Sequence, residues 1–280
     1  MNGWVAWLQH PAGRRAFYFW WLGRGVLALL VVLPLSRQLS HAVARFPSGE
    51  AALFEPGGVM LIETLRLRSE ALTAALSSTW ILLFSALVAS WLLTSGLLSA
   101  LSGPPRQRPL SWLLRCARWL PAHAMLVLGG WALRVLLLLM GLLLVVSLHH
   151  VLRGALNERA QHGLLVGAAL LAFVPLLLVQ VWLDLARAGL RRYPRPVHRS
   201  ALLALELLAR HPIRRLSAYL LLTVAAYAGM ALGALLARQT SLPAVTALAQ
   251  QLGFFWLCAC RASWLWHCTQ LSQASTRQLP

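Results

Sequence analysis

The chain alternates long apolar runs with short basic connections. Runs rich in Leu, Ala, Val and Trp cover about 17–36, 78–101, 122–148, 163–183, 216–237 and 247–268. Each is near or above the ~18–20 apolar residues that cross a hydrocarbon layer as a helix. A helix satisfies its own backbone N–H and C=O groups, which lipid cannot do. The pattern predicts an all-α fold, a polytopic bundle of six transmembrane helices forming one membrane domain over 1–280. The sequence between the first two runs, 37–77, predicts an extracytoplasmic loop. It carries Pro56-Gly57-Gly58 and then a short amphipathic helix in VMLIETLRLRSEAL, 59–72.

The first, third and fifth runs share a prelude. It reads WVAWLQHPAGRR at 4–15, SWLLRCARWLPAH at 111–123 and SALLALELLARHPIRR at 200–215. In each, an amphipathic stretch leads to a proline with basic residues beside it. His10-Pro11 before Arg14-Arg15 echoes His211-Pro212 before Arg214-Arg215. Such stretches predict helices lying in the membrane plane. Proline ends or bends a helix, so Pro121 and Pro212 predict the turn into the bilayer. The expected architecture is three units, each an elbow helix followed by a two-span hairpin. Hairpins entering from one face form a parallel repeat about an axis along the membrane normal.

Charge sets the expected orientation. The N-terminal flank holds Arg14 and Arg15, the second connection holds Arg106, Arg108, Arg115 and Arg118, and the fourth is denser still in arginine. The alternate connections hold Glu50, Glu55, Glu63, Glu70 and Glu158. The positive-inside rule then puts both termini of a multi-pass protein in the cytoplasm. Arg24, Arg37 and His41 interrupt the pattern a cleaved leader would need, so the first span is expected to stay uncleaved.

Composition agrees. The chain is 59% hydrophobic and 11% charged, with net charge +18. Soluble domains carry about 25% charged residues. All 25 basic residues are Arg. They flank spans rather than mixing with polar aromatics, which argues against nucleic-acid binding. The expected partners are the lipid bilayer, anionic headgroups at the basic elbows and another membrane protein.

Ionisable groups at membrane depth are costly, so they are the candidate functional residues. Arg24, Arg134 and Arg261 fall inside runs, and the acid at that depth is Asp184, followed by Arg187 in DLAR. Asp184 is the natural partner of these arginines, either in a structural clasp joining spans one, four and six or as part of an arginine-lined anion pocket, with Arg24 and Arg261 snorkelling to the inner headgroups as a further alternative. His149, His150 and His162 read as interfacial histidines. Cys258 and Cys260 lie two apart on a helix and point in different directions, so no metal site is expected there. No phosphate-binding loop, zinc-protease motif, nucleophile elbow or dinucleotide fingerprint occurs. The expectation is therefore a non-enzymatic protein without a cofactor. The Gly229-to-Gly233 spacing predicts a close helix contact on the fifth span.

Several of these residues carry a resemblance. They are ALLVVLPLS at 28–36, Phe54-Glu55 with Glu63, the basic stretch before the third span, and Asp184 to Arg187 leading through a basic linker to ALLALELLARHPIRRLSAYLLL at 201–222. Over about 17–225 the chain resembles a family of six-span bacterial membrane proteins. In that family the junction often reads Asp-Tyr-Ala-Arg, and here Leu185 replaces the aromatic. The resemblance implies the six-span architecture and a structural role for Asp184 and Arg187. It implies no activity. The function expected is a scaffold or subunit of a larger membrane assembly, with a small transporter or lipid-handling protein as the alternative.

Overall fold

A computed structural model describes residues 6–43, 69–103, 109–152, 157–190, 197–239 and 242–277. Among these there are seven α-helices and no strand. They are α1 (Pro11–Val43), α2 (Ser69–Ser102), α3 (Pro109–Leu152), α4 (Glu158–Gly189), α5 (Val197–Arg210), α6 (Pro212–Arg238) and α7 (Pro243–Arg277). A 3-10 turn, Ala6–Gln9, precedes α1. Most of the expected outer loop, with Pro56-Gly57-Gly58, lies outside the described residues. So do Arg106, Arg108, Arg191, Arg192 and Arg195.

Each of the six apolar runs falls within one helix. Five helices are long and apolar enough to cross a membrane: Pro11–Pro34, Trp80–Ser102, Cys116–Val151, Ala160–Gly189 and Pro212–Arg238. The sixth run lies in α7, which has 35 residues but is less apolar than those five. Its Gln250, Gln251, Arg261 and His267 lower its hydropathy. The apolar side chains of the long helices point outward. Only 6% of the most apolar window of α3 is buried within the protein. Leu139, Leu142, Leu143 and Leu144 are all more than half exposed. Apolar surface on this scale is disfavoured in water and suits lipid. The chain is a multi-pass membrane protein by this measure.

Packing divides the chain into two units. One comprises Met1–Phe17 with Ser95–Pro280, and the other comprises Tyr18–Thr94. In the larger unit the buried side chains come from several helices. Leu97, Leu98 and Leu101 come from α2, Val181, Leu183 and Leu185 from α4, and Cys258, Trp264 and Leu265 from α7. Lipid tails are as apolar as leucine, so burial alone does not join helices in a membrane. Close packing and hydrogen bonds must do so.

Among the described residues α6 and α7 pack together extensively, and glycine explains it. A Cβ added at Gly233 would stand 2.7 Å from the Ala249 carbonyl oxygen and 3.3 Å from the Gly253 Cα. At Gly229 it would collide with the Trp256 indole. The Trp256 indole donates to the Ala225 carbonyl at 2.8 Å. The glycine spacing read in the sequence thus serves an internal contact.

The three preludes take different forms. Before α6 the stretch is a separate helix, α5, which buries Ser200, Ala204, Leu207 and Leu208. Pro212 occupies the first turn of α6, where its missing N–H costs nothing. Before the third span the structure departs from expectation, because α3 runs unbroken through Pro121. Long membrane helices tolerate proline where neighbouring groups take up the freed carbonyl. The first stretch packs one side against the rest of its unit. Trp7 is 1% exposed and its indole donates to the Ser263 Oγ of α7 at 3.1 Å. Its ring meets Phe17 at 4.6 Å between centroids, and Phe17 meets Phe255 edge-on at 5.4 Å.

In the smaller unit, α1 and α2 approach closely at Gly23, where a Cβ would come within 2.8 Å of Leu93. The Trp20 indole donates to Thr94 Oγ1 at 3.4 Å.

Candidate functional site

Asp184 lies on α4, one turn before the helix ends, and is 0% exposed. A carboxylate in that position must be paired, because desolvating a charge without compensation is prohibitive. Four donors reach it. The Arg261 Nη2 donates to Oδ1 at 2.6 Å and the Arg187 Nη1 to the same oxygen at 3.5 Å. The Gln180 Nε2 and the Trp264 indole each donate to Oδ2 at 3.0 Å. A carboxylate offers about four lone-pair positions, and all are taken.

Helical spacing builds this arrangement. Gln180 precedes Asp184 by four residues and Arg187 follows it by three, so all share one face of α4. Arg261 and Trp264 stand three apart on α7 and face the same carboxylate. The clasp therefore binds α4 to α7 through both carboxylate oxygens. A third helix joins indirectly, because the Arg134 guanidinium of α3 donates to the Gln180 Oε1. Around Trp264 the packing is aromatic. Tyr219 of α6 meets it edge-on at 5.3 Å, and His267 lies 6.0 Å away.

Four of the five residues singled out in the sequence thus form one network: Arg134, Asp184, Arg187 and Arg261. Arg24 belongs to the smaller unit. There its guanidinium lies 4.7 Å over the Trp20 ring. It also lines a cavity of about 260 Å³ with Leu27, Val31, Val32, Ala86 and Ser90. That cavity is mostly apolar.

The sequence reading missed Gln180, Trp264 and Tyr219. Two of them left a signal. A glutamine one turn before an intramembrane aspartate, and a tryptophan one turn after an intramembrane arginine, are both polar groups needing partners at depth. Tyr219 left none, because its place depends on how α6 crosses α7.

The network holds one carboxylate and three guanidiniums. Arg187 is 9% exposed and its Nε has no partner among the described residues. All four cysteines are buried. His149 Nδ1 lies 3.0 Å from the Gln161 side-chain amide. Among the described residues, no group of three His, Cys, Asp or Glu side chains is placed to hold a metal ion. Comparison with protein-family models, with curated proteins and with solved structures finds no match to this chain.

Proposed function

We propose that this chain is a non-enzymatic integral protein of the bacterial inner membrane. It spans the bilayer six times, with α7 as the sixth span and both termini in the cytoplasm. It acts as a scaffold or subunit within a larger membrane assembly and belongs with the six-span family its sequence resembles. One observation carries this reading. Asp184, the acid at membrane depth, spends both oxygens on a closed clasp between α4 and α7. A carboxylate that relays protons or captures a cation needs access to water, and Asp184 has none. A pair closed in this way ties α4 to α7 at one point.

A second reading draws on a different observation. Three guanidiniums surround one carboxylate, and the Arg187 Nε is buried without an acceptor. An anion-handling or lipid-handling transporter would use that surplus.

The deciding experiment is native mass spectrometry of the full chain, extracted from its source cell into lipid nanodiscs. The expected result is a stoichiometric protein partner. A lone chain that retains a small anion would instead favour the second reading.

The orientation has its own test. All four native cysteines are buried, so the wild-type chain gives little labelling background. A cysteine at Glu55 should react with an impermeant maleimide added outside intact cells. One at Arg195 should react only after the membrane is opened. The reverse pattern would invert the topology.

A further inference from the structure

α5 ends at Arg210 and α6 begins at Pro212, with His211 alone between them. This corner gathers like charges. Arg215 lies within electrostatic reach of Cys268 of α7 and of Arg210 and Arg214, and His267 of α7 within reach of Arg214 and Arg215. The acid on α5, Glu206, is committed to Arg210 at 2.5 Å. Like charges gathered at one corner repel one another unless a counter-charge joins them.

Two features show what that counter-charge must offer. Arg215 is 6% exposed, yet its Nη1 has no hydrogen-bond partner among the described residues. The first turn of α6 is also open. His211 makes no side-chain cap, and the first intrahelical bond runs from the Arg215 N–H to the His211 carbonyl. The amides of Ile213 and Arg214 precede that bond, at the positive end of the helix dipole. A group with several anionic oxygens meets both needs, and phosphate is the natural fit for a helix start backed by arginine.

The surroundings identify the carrier. Ile213 is 82% exposed and Leu205 is 55% exposed, immediately beside the charges. Arginine next to outward-facing leucine and isoleucine matches the boundary between headgroups and acyl chains. We infer that the α5–α6 corner is a binding site for the phosphate of an anionic phospholipid. The headgroup sits on Arg214 and Arg215, and an acyl chain lies along Ile213 and Leu205. A soluble phosphate shares the charge chemistry but makes no use of the apolar side. The inference rests on the membrane-embedded reading above and not on the scaffold role, so finding or missing a protein partner leaves it unaffected.

The test uses the full chain in nanodiscs of phosphatidylcholine containing about one-third phosphatidylglycerol, the anionic share being well above what one site needs. Lipids retained after release are counted by native mass spectrometry. The wild-type chain is expected to keep one phosphatidylglycerol in preference to phosphatidylcholine. Arg210→Gln with Arg214→Gln, both exposed and remote from the core, should weaken that retention by at least about tenfold. Arg215→Gln should do the same, and if it fails to fold the exposed pair decides. Equal retention of the two lipids would overturn the site, as would an unchanged count in the exposed double variant. Displacement of the lipid by millimolar inorganic phosphate in detergent would overturn the lipid and leave a soluble-anion site.

Discussion

Asp184→Asn is expected to cost about 3 kcal/mol of stability, the lower end for breaking a buried ion pair. Asparagine keeps the volume and one acceptor oxygen. The Gln180 or Trp264 contact can therefore survive, while the charge on Arg261 and Arg187 loses its compensation. The loss arises mainly from two stranded guanidiniums rather than from missing hydrogen bonds. This makes a second variant informative. Asp184→Asn combined with Arg261→Gln should be less destabilised than the sum of the single changes, because no lone charge remains at that position. Thermal unfolding in mild detergent, followed by the fluorescence of the tryptophans, reads both. Unchanged unfolding in Asp184→Asn would remove the clasp as a stabilising element, and with it the main support for a scaffold role.

The other large effect is steric. Gly233→Leu should destabilise the protein by at least about 3 kcal/mol, the upper end for overpacking. The obstacle is the backbone of α7, since the Ala249 carbonyl and the Gly253 Cα leave no room for even a methyl group. Backbone cannot change rotamer, so the helices must separate. That motion would also pull Arg261, on the same α7, away from Asp184. Gly167→Ala provides the contrast. Nothing lies within 4 Å of a Cβ there, and alanine favours the helix by up to about 1 kcal/mol. If both variants unfold at the wild-type temperature, the α6–α7 contact does not hold the bundle together.

Some of this was legible in the chain. Apolar length located the helices, because the demand for ~20 apolar residues leaves a run that few other structures need. Asp184 stood out for the same reason, as an acid where acids are expensive. The choice of partner was not legible. Arg134 and Arg261 both lie at depth, and the sequence records the face each occupies on its own helix but not the helix opposite. Trp7 shows the same limit. Its amphipathic surroundings fit a membrane surface, yet a hydroxyl at Ser263, 256 residues away, draws it inside. Pro121 shows another limit. A proline removes one hydrogen bond, and whether that breaks a helix depends on neighbours that a linear pattern does not name.

The separation of Asp184 and Arg261 along the chain has a consequence for biosynthesis. The two lie 77 residues apart. At ~5–20 residues per second of synthesis, α4 waits roughly 4–15 s before Arg261 emerges from the ribosome. During that wait the cation that pairs with the carboxylate directly is Arg187 on its own helix, at 3.5 Å, while Arg134 of α3, also already made, reaches it only through Gln180. The weaker of its two ion pairs in the finished protein is the earlier one during assembly. Arg187→Gln should therefore lower the yield of inserted protein in cells more than it lowers the unfolding temperature of what is recovered, and equal effects on both would count against this order. In this view Arg187 escorts the aspartate into the membrane and hands it on to Arg261, which accounts for an arginine kept beside a carboxylate that another arginine holds more tightly.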